Sequence, residues 1–384
     1  MAFPKVARGP YHQVRYTETR NRNKVRYFYE NIHRSVSRIL SNSMNEFLDL
    51  PDHRELRLGD GVLGVYVDGI PEDLVVGEIN EAAEKAGVQP IRIPGYWMHQ
   101  GELPMGQKPS EGEKVIYFLH GGSYVAMSAH PSSSTSALPR SLLELRCPAV
   151  QRAFSIEYRL CAVHCAPRLA ASGGDISSLN PFPAQLLDAL AGYAYLVNSV
   201  GFSPSSIILV GDSAGGHLTL ALTRYLAQYT PGSLAGPGAL LLLSPWPDMS
   251  GSHNVQGGSM ERNRDCDIDS SPLEYGAVDA PAAFLRAHGE DLAKYSPYMS
   301  PAGRLLADPY IFAKFPRTLV TSGSDEMLLD QIRTLVLRMQ DDMGESAVTY
   351  FEAANSVHDC VLFKWHEPER TQTLQVIKSW IETL

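Results

Sequence analysis

A serine between two glycines is the first feature of this 384-residue sequence that could do covalent chemistry. Ser213 lies in the stretch GDSAG at 211–215, directly after the apolar run 207–210. Glycines at these positions allow a strand-to-helix turn so tight that any side chain there would collide, and such a turn exposes the serine hydroxyl as a nucleophile. A serine here could also be only the N-cap of the helix. The rest of the chain must therefore supply a base, an acid and an oxyanion site.

A nucleophilic serine needs a general base, and in an elbow of this kind the order along the chain is serine, acid, histidine. Of the twelve histidines, His358 is the best placed, because it follows the predicted strand 347–354 in a loop before the last helix. His217 lies one turn into the helix after Ser213, where we expect it to pack or to bond the backbone. The sequence therefore predicts His358 as the base.

Two carboxylates compete for the acid position after the predicted strand 317–323. Asp325 and Glu326 are adjacent, and Glu326 stands four residues before Asp330. We favour Glu326 as the acid that holds the imidazole of His358 in the right tautomer. Asp325 stays the alternative, and the carboxylate that is not used is expected to be a solvated loop residue.

Backbone N–H groups that could stabilise a tetrahedral oxyanion follow the predicted strand 114–120. The motif HGGSY at 120–124 contains consecutive glycines, which allow the chain to turn its amides toward a substrate. We expect the donors to be the N–H groups of Gly121 and Gly122, with that of Ala214 after the nucleophile. We expect four side chains beside these donors in the substrate pocket: His120, Ser123, Tyr124 and Asp212. His120 is expected to brace the loop rather than to react.

Strand and helix patterns alternate along most of the chain and would position these residues. Short apolar or alternating runs predict strands at 64–70, 91–98, 114–120, 149–159, 206–213, 238–246, 317–323 and 347–354. Helices are predicted at 22–48, 136–146, 183–201 with a glycine C-cap, 214–229, 328–340 and 370–384. Several strands are continuous apolar runs, as expected where both faces of a sheet are covered. The alternation predicts an α/β fold with a mostly parallel central sheet flanked by helices.

Composition and charge narrow the class of protein. The net charge is −9, but residues 1–40 carry nine basic and two acidic residues, so the remainder is strongly acidic. The acidic body argues against nucleic-acid binding, whereas the basic segment could pack on that body or touch an anionic membrane surface. No window approaches the ~18 apolar residues of a transmembrane helix, and the N-terminus lacks the apolar region of a signal peptide. Five cysteines form no paired framework, which favours free thiols and a cytoplasmic protein.

The motifs HGGSY, EYRL, PFPA and GDSAGG, with the late acid and histidine, resemble those of the hormone-sensitive-lipase-like esterases of the α/β-hydrolase fold. The resemblance covers roughly residues 90–384. It departs from the family pattern at Ser123, which replaces a third glycine, and at Glu326, which replaces the first aspartate of Asp-x-Leu-x-Asp. A further departure is the long segment 161–180 between EYRL and PFPA.

The resemblance implies a serine hydrolase that cleaves carboxylic esters of small molecules through an acyl-enzyme intermediate, without a metal or another cofactor. It also implies a helical cap over the site. The chain then divides into N-terminal cap helices at 1–50, a catalytic core of 51–249 and 316–384, and a cap insertion at 250–315.

Two other functions are compatible with the same residues. An acyltransferase, or an enzyme that forms or opens lactones, would share the acyl-enzyme and differ only in the acceptor. A non-catalytic ligand receptor is disfavoured, because both the nucleophile and the base are present. A small-molecule ester is the expected partner, and a homodimer and peripheral contact with a membrane stay open.

Overall fold

A mixed eight-stranded sheet forms the centre of the computed structural model, which describes residues 51–101, 103–162, 179–268, 274–275 and 278–384. Its strands are β1 (Leu63–Val67), β2 (Ile93–His99), β3 (Lys114–Leu119), β4 (Val150–Ile156), β5 (Ile207–Asp212), β6 (Ala239–Leu243), β9 (Arg317–Gly323) and β10 (Val348–Ala353). They stand in the order β1-β2-β4-β3-β5-β6-β9-β10. Strand β2 pairs antiparallel with β1 and β4, and the other pairs are parallel, so the predicted fold class is confirmed.

Helices cover both faces of this sheet. They are α1 (Gly77–Ala86), α2 (Ala137–Glu144), α3 (Ala184–Ala194), α4 (Ser213–Tyr229), α5 (Ser259–Arg262), α6 (Ala280–Phe284), α7 (Glu290–Tyr295), α8 (Leu329–Met343) and α9 (Glu369–Ile381). Helices α1, α3, α4 and α8 share one buried apolar cluster with the sheet, and α2 and α9 share the other. A short antiparallel ladder, β7 (Glu274–Tyr275) with β8 (Val278–Asp279), precedes α6.

Strands β5 and β6 are almost entirely apolar because both of their faces are buried. All of β5 is buried, and its side chains alternate between the two clusters: Ile207 and Leu209 enter one, Ile208 and Val210 the other. This is the arrangement that continuous apolar runs predict for a parallel sheet covered by helices.

The parallel strands end at one edge of the sheet, and the candidate functional residues follow those ends. His120 comes directly after β3, Ser213 after β5, Glu326 three residues after β9 and His358 five residues after β10. In open α/β sheets, ligands bind outside the carboxyl ends of the strands. The topology therefore brings together residues that are distant in sequence.

Several sequence-based boundaries differ from the structure. The helix predicted to reach Gly201 is α-helical only to Ala194 and continues as a π-helix over Tyr195–Val200, ending at Gly201 in the left-handed conformation. The strand predicted over 238–246 ends at Leu243 because Ser244 takes a φ of 40°.

Parts of the sequence interpretation fall on residues that the structure does not describe. The predicted helix at 22–48 and most of the segment 161–180 lie outside the described residues, and the division into core and cap stays a prediction. Over the ranges that the structure does describe, no helix combines the length and the apolar character needed to cross a membrane.

Candidate active site

The turn at Ser213 has the backbone strain of a nucleophile elbow. Ser213 has a φ of 50°, a left-handed conformation that is costly for a residue with a side chain and is found at functional turns. A Cβ at Gly211 would lie 2.2 Å from the Gly215 carbonyl oxygen, and one at Gly215 would lie 2.0 Å from that of Leu119. Only glycine fits at either position, as the sequence predicted.

The N-cap alternative for Ser213 is not what the structure shows. Helix α4 begins at Ser213 itself, Asp212 is its N-cap residue, and no side chain caps its first turn. The serine side chain is therefore not occupied in holding the helix start.

The base and one of the two competing carboxylates lie together. His358 Nδ1 is 3.3 Å from Glu326 Oε2, and both side chains are buried. Asp325 is partly exposed, and its carboxylate accepts a hydrogen bond from Ser324 Oγ. The geometry favours Glu326 over Asp325 as the acid.

The loops that carry the acid and the base touch backbone to backbone. A Cβ at Gly323, the last residue of β9, would lie 2.2 Å from the Ser356 carbonyl oxygen. The N–H of Asp325 donates to the same oxygen at 2.8 Å. These contacts fix the position of Glu326 relative to His358.

A second carboxylate, which the sequence analysis missed, joins the same two loops. Asp267 Oδ1 accepts the N–H of His358 at 3.0 Å, and its Oδ2 accepts the N–H of Met327 at 2.7 Å. Burial raises the pKa of Asp267 to about 7, although the neighbouring His358 and the N–H donors oppose that rise. Asp267 lies in the irregular polar stretch after β6, where no local pattern distinguishes it from other acidic loop residues.

The second imidazole nitrogen faces another residue that the sequence analysis missed. His358 Nε2 is 3.2 Å from Asp359 Oδ2. Within the part of the chain that the structure describes, no hydrogen bond joins Ser213 Oγ to His358. Burial lowers the pKa of His358, but the carboxylates of Asp359, Glu326 and Asp267 outweigh that effect and raise the pKa well above its ordinary value.

The oxyanion loop lies against the nucleophile, but one expected donor is already engaged. A Cβ at Gly121 would lie 3.1 Å from Ser213 Cβ. The N–H of Gly121 donates to Asp212 Oδ1 at 2.9 Å, so the expectation that this N–H faces a substrate is corrected. Asp212, expected in the pocket, is buried and holds the loop instead. The N–H groups of Gly122 and Ala214 stay the candidate donors.

His120 packs beside this loop, and its contacts suit the bracing role expected of it. Its fully buried ring stacks on Tyr158 with 4.2 Å between ring centroids, and its Nδ1 lies 2.7 Å from the Gly121 carbonyl oxygen. Burial lowers the pKa of His120 to about 4, so the ring is neutral near pH 7. A neutral, enclosed imidazole suits a brace and not a general base for Ser213.

Two further residues expected in the pocket, Ser123 and Tyr124, are buried. The Tyr124 hydroxyl lies 2.6 Å from His217 Nδ1, and its ring stacks on Phe284. His217 Nε2 bonds the Met299 carbonyl oxygen, in line with the predicted packing role of this histidine. Tyr124 is thus enclosed by its neighbours, and its place in the substrate pocket stays a prediction.

Comparisons with known proteins agree with this arrangement. A family profile described as the alpha/beta hydrolase fold matches residues 176–362. An esterase of Acinetobacter venetianus is 24% identical over 300 residues, covering 77% of this chain and 82% of the relative. Esterase LipU of Mycobacterium tuberculosis is 25% identical over 281 residues, covering 72% and 80%. The crystal structure of an esterase from the bacterial hormone-sensitive lipase family aligns with a TM-score of 0.57 at 23% identity, covering 90% of each chain.

The sheet topology and the profile match show that the chain has the α/β-hydrolase fold. The more particular resemblance to the hormone-sensitive-lipase-like esterases, expected from the sequence motifs, is confirmed by the same comparisons.

Proposed function

We propose that the protein hydrolyses carboxylic esters of small molecules, with Ser213 as nucleophile, His358 as general base and Glu326 as the acid. The observation that supports this most directly is the strained Ser213 elbow at the same sheet edge as the buried Glu326–His358 pair. The chain order serine, acid, histidine is that of α/β hydrolases. The relatives named esterase support the same class of reaction.

The chemistry follows from these positions. Ser213 Oγ attacks the ester carbonyl carbon while His358 Nε2 takes the hydroxyl proton, and the carbonyl oxygen becomes an oxyanion held by the N–H groups of Gly122 and Ala214. His358 then returns the proton to the leaving alcohol, and the acyl group stays on Ser213. A water molecule, deprotonated by the same imidazole, then attacks the acyl carbon; the bond to Ser213 Oγ breaks, the imidazolium returns its proton to that oxygen, and the carboxylic acid leaves.

The remaining residues of the site act on those groups. The Glu326 carboxylate orients the imidazole and stabilises its protonated form. The Asp212 carboxylate and the His120 ring hold the oxyanion loop against Ser213. Each N–H donor to an oxyanion is typically worth ~3 kcal/mol of transition-state stabilisation.

The test is turnover of p-nitrophenyl esters from acetate to dodecanoate by the wild type and by Ser213→Ala. We expect the variant to lose activity by ~10³-fold or more, with an unchanged circular dichroism spectrum. Quenched wild-type reactions should show the acyl adduct by intact mass spectrometry, and the variant should not. Ser205→Ala, which alters an exposed serine before β5, is the matched control and should keep full activity. A folded Ser213→Ala protein with near-normal turnover would refute the mechanism.

A further inference from the structure

Asp359 occupies the side of the His358 imidazole that the nucleophile must use. Its Oδ2 lies 3.2 Å from His358 Nε2, while Nδ1 on the opposite side of the ring faces Glu326. Serine hydrolysis requires Nε2 to take the proton of Ser213. The imidazole thus lies between two carboxylates, and one of them stands at the reacting nitrogen.

The backbone fixes this position of Asp359. The residue has a φ of 50° and a ψ of 39°, a left-handed conformation that aspartate and asparagine tolerate better than most side chains. Its N–H donates to Ser244 Oγ at 3.1 Å, and the Ser244 N–H donates in turn to the Thr321 carbonyl oxygen. Asp359 is 8% exposed, and among the residues that the structure describes its Oδ1 has no hydrogen-bond partner. Asp359 precedes the 3₁₀ turn Cys360–Leu362, and within the described residues its carboxylate makes no hydrogen bond that caps this turn.

We propose that Asp359 is a positioning residue of the reaction centre, which holds the His358 imidazole through Nε2 in the free enzyme and must release it to Ser213 when an ester is turned over. This inference rests on the proposed esterase function. In the free enzyme Asp359 and Ser213 compete for His358 Nε2. The charge of Asp359 therefore decides the pH at which the His358 imidazole is free to accept the serine proton.

The carboxylates around His358 favour its protonated form when they are charged, although burial and the neighbouring carboxylates also raise the pKa of Asp359 itself well above its ordinary value, against the opposing effect of His358. Glu326 faces it from the loop after β9, Asp267 from the stretch after β6, and Asp212, at the end of β5, interacts electrostatically with Asp359. The Cys360 thiol of the next turn stays neutral, because burial raises its pKa to about 12. Burial opposes a charged imidazole, but the surrounding carboxylates favour it. An imidazolium cannot accept a proton, so kcat/KM should rise with pH as the His358 imidazole loses its proton.

The test is the pH profile of kcat/KM for a p-nitrophenyl ester, which reports ionisations of the free enzyme. Asp359→Asn and Asp359→Gly remove the charge and both tolerate the left-handed backbone. Because one adjacent opposite charge shifts a pKa by about 1–3 units, both variants should move the acid limb down by about one pH unit or more. At a pH below the acid limb of the wild type, kcat/KM of both variants should be about tenfold higher than that of the wild type. Asp265→Asn, which alters an exposed carboxylate near Asp267, is the control and should keep the wild-type limb.

A second readout does not depend on turnover. The ¹⁵N signals of the His358 ring, assigned by their loss in His358→Gln, should titrate at higher pH in the wild type than in Asp359→Asn. The inference would be overturned if the wild type and the Asp359 variants had the same acid limb and the same titration of the His358 ring. If no form of the protein cleaves an ester, the proposed function fails, and the ring titration alone still decides the role of Asp359.

Discussion

Replacing Gly215 by alanine tests whether backbone contact between α4 and β3 holds the site together. Gly215 lies in the first turn of α4, two residues after the nucleophile. The added Cβ would lie 2.0 Å from the Leu119 carbonyl oxygen and 2.6 Å from that of His120. Both atoms belong to the backbone at the end of β3, so no flexible side chain can move away to make room.

The size of the effect follows from these distances. Real Cβ atoms essentially never approach another heavy atom closer than 3.0 Å, so the end of β3 and the start of α4 must move apart by about 1 Å or more along that line. The oxyanion loop follows β3 directly and Ser213 precedes Gly215, so the displacement falls between the nucleophile and its oxyanion donors. A misplacement of about 1 Å can cost about 10²-fold in rate, whereas an extra methyl group in a packed region costs about 1–3 kcal/mol of stability. We therefore expect Gly215→Ala to lose about 10²-fold in kcat/KM and still fold.

The assay combines ester kinetics with thermal unfolding. Two alanine variants provide a graded control. At Gly216 the nearest atom to an added Cβ is Cβ of Pro245 at 2.8 Å, and at Gly236 no atom of the described residues lies within 4 Å. The expected loss of activity is largest for Gly215→Ala, smaller for Gly216→Ala and absent for Gly236→Ala. If Gly215→Ala keeps more than half of the wild-type kcat/KM, the contact does not position the site and the reasoning is wrong.

Four further substitutions test the acid and two other buried carboxylates. Glu326→Gln should lower kcat by up to ~10⁴-fold, because the imidazole loses its orienting anion, and Asp325→Asn should change kcat little. The reverse ranking in steady-state kinetics would identify Asp325 as the acid. Asp188→Asn should cost about 3–5 kcal/mol in urea unfolding, because it breaks the buried 2.8 Å ion pair with Arg159; a midpoint shift below experimental error would contradict this. Burial raises the pKa of Glu157 from 4.5 to about 7, so the wild-type free energy of unfolding should fall as the pH rises between these values. Urea unfolding of Glu157→Gln should show a shallower slope than the wild type, because Asp267, whose pKa burial also raises to about 7, keeps its own contribution. An equal slope in both proteins would count against this prediction.

The fold was predictable because its pattern is local. Each central strand is buried on both faces, so β5 reads as a continuous apolar run between two glycine- or serine-containing turns. The order of residues at the strand ends follows from the fold class, which is why Ser213, Glu326 and His358 could be singled out before their distances were known. The preference for Glu326 over Asp325 agrees with the burial of Glu326 and the partial exposure of Asp325.

The parts that could not be predicted depend on contacts between distant residues. The N–H of Gly121 is taken by Asp212, 91 positions away, and the carboxylate of Asp267 bonds the N–H of His358, also 91 positions away. Such bonds leave no periodic or compositional trace in either segment. The position of Asp359 depends on a left-handed backbone and on Ser244 at the end of another strand, which adjacency to His358 alone does not reveal.

Three glycines limit how this protein can adapt to new substrates, because backbone lies directly against backbone at each of them: Gly211, Gly215 and Gly323. Nearly any coding change at one of them adds a side chain where a single methyl group does not fit. The loops that carry the reacting groups therefore have little freedom to drift apart from one another. Changes in the choice of ester must accumulate in the side chains and segments around these loops, so that reaction and selectivity can evolve separately in one chain.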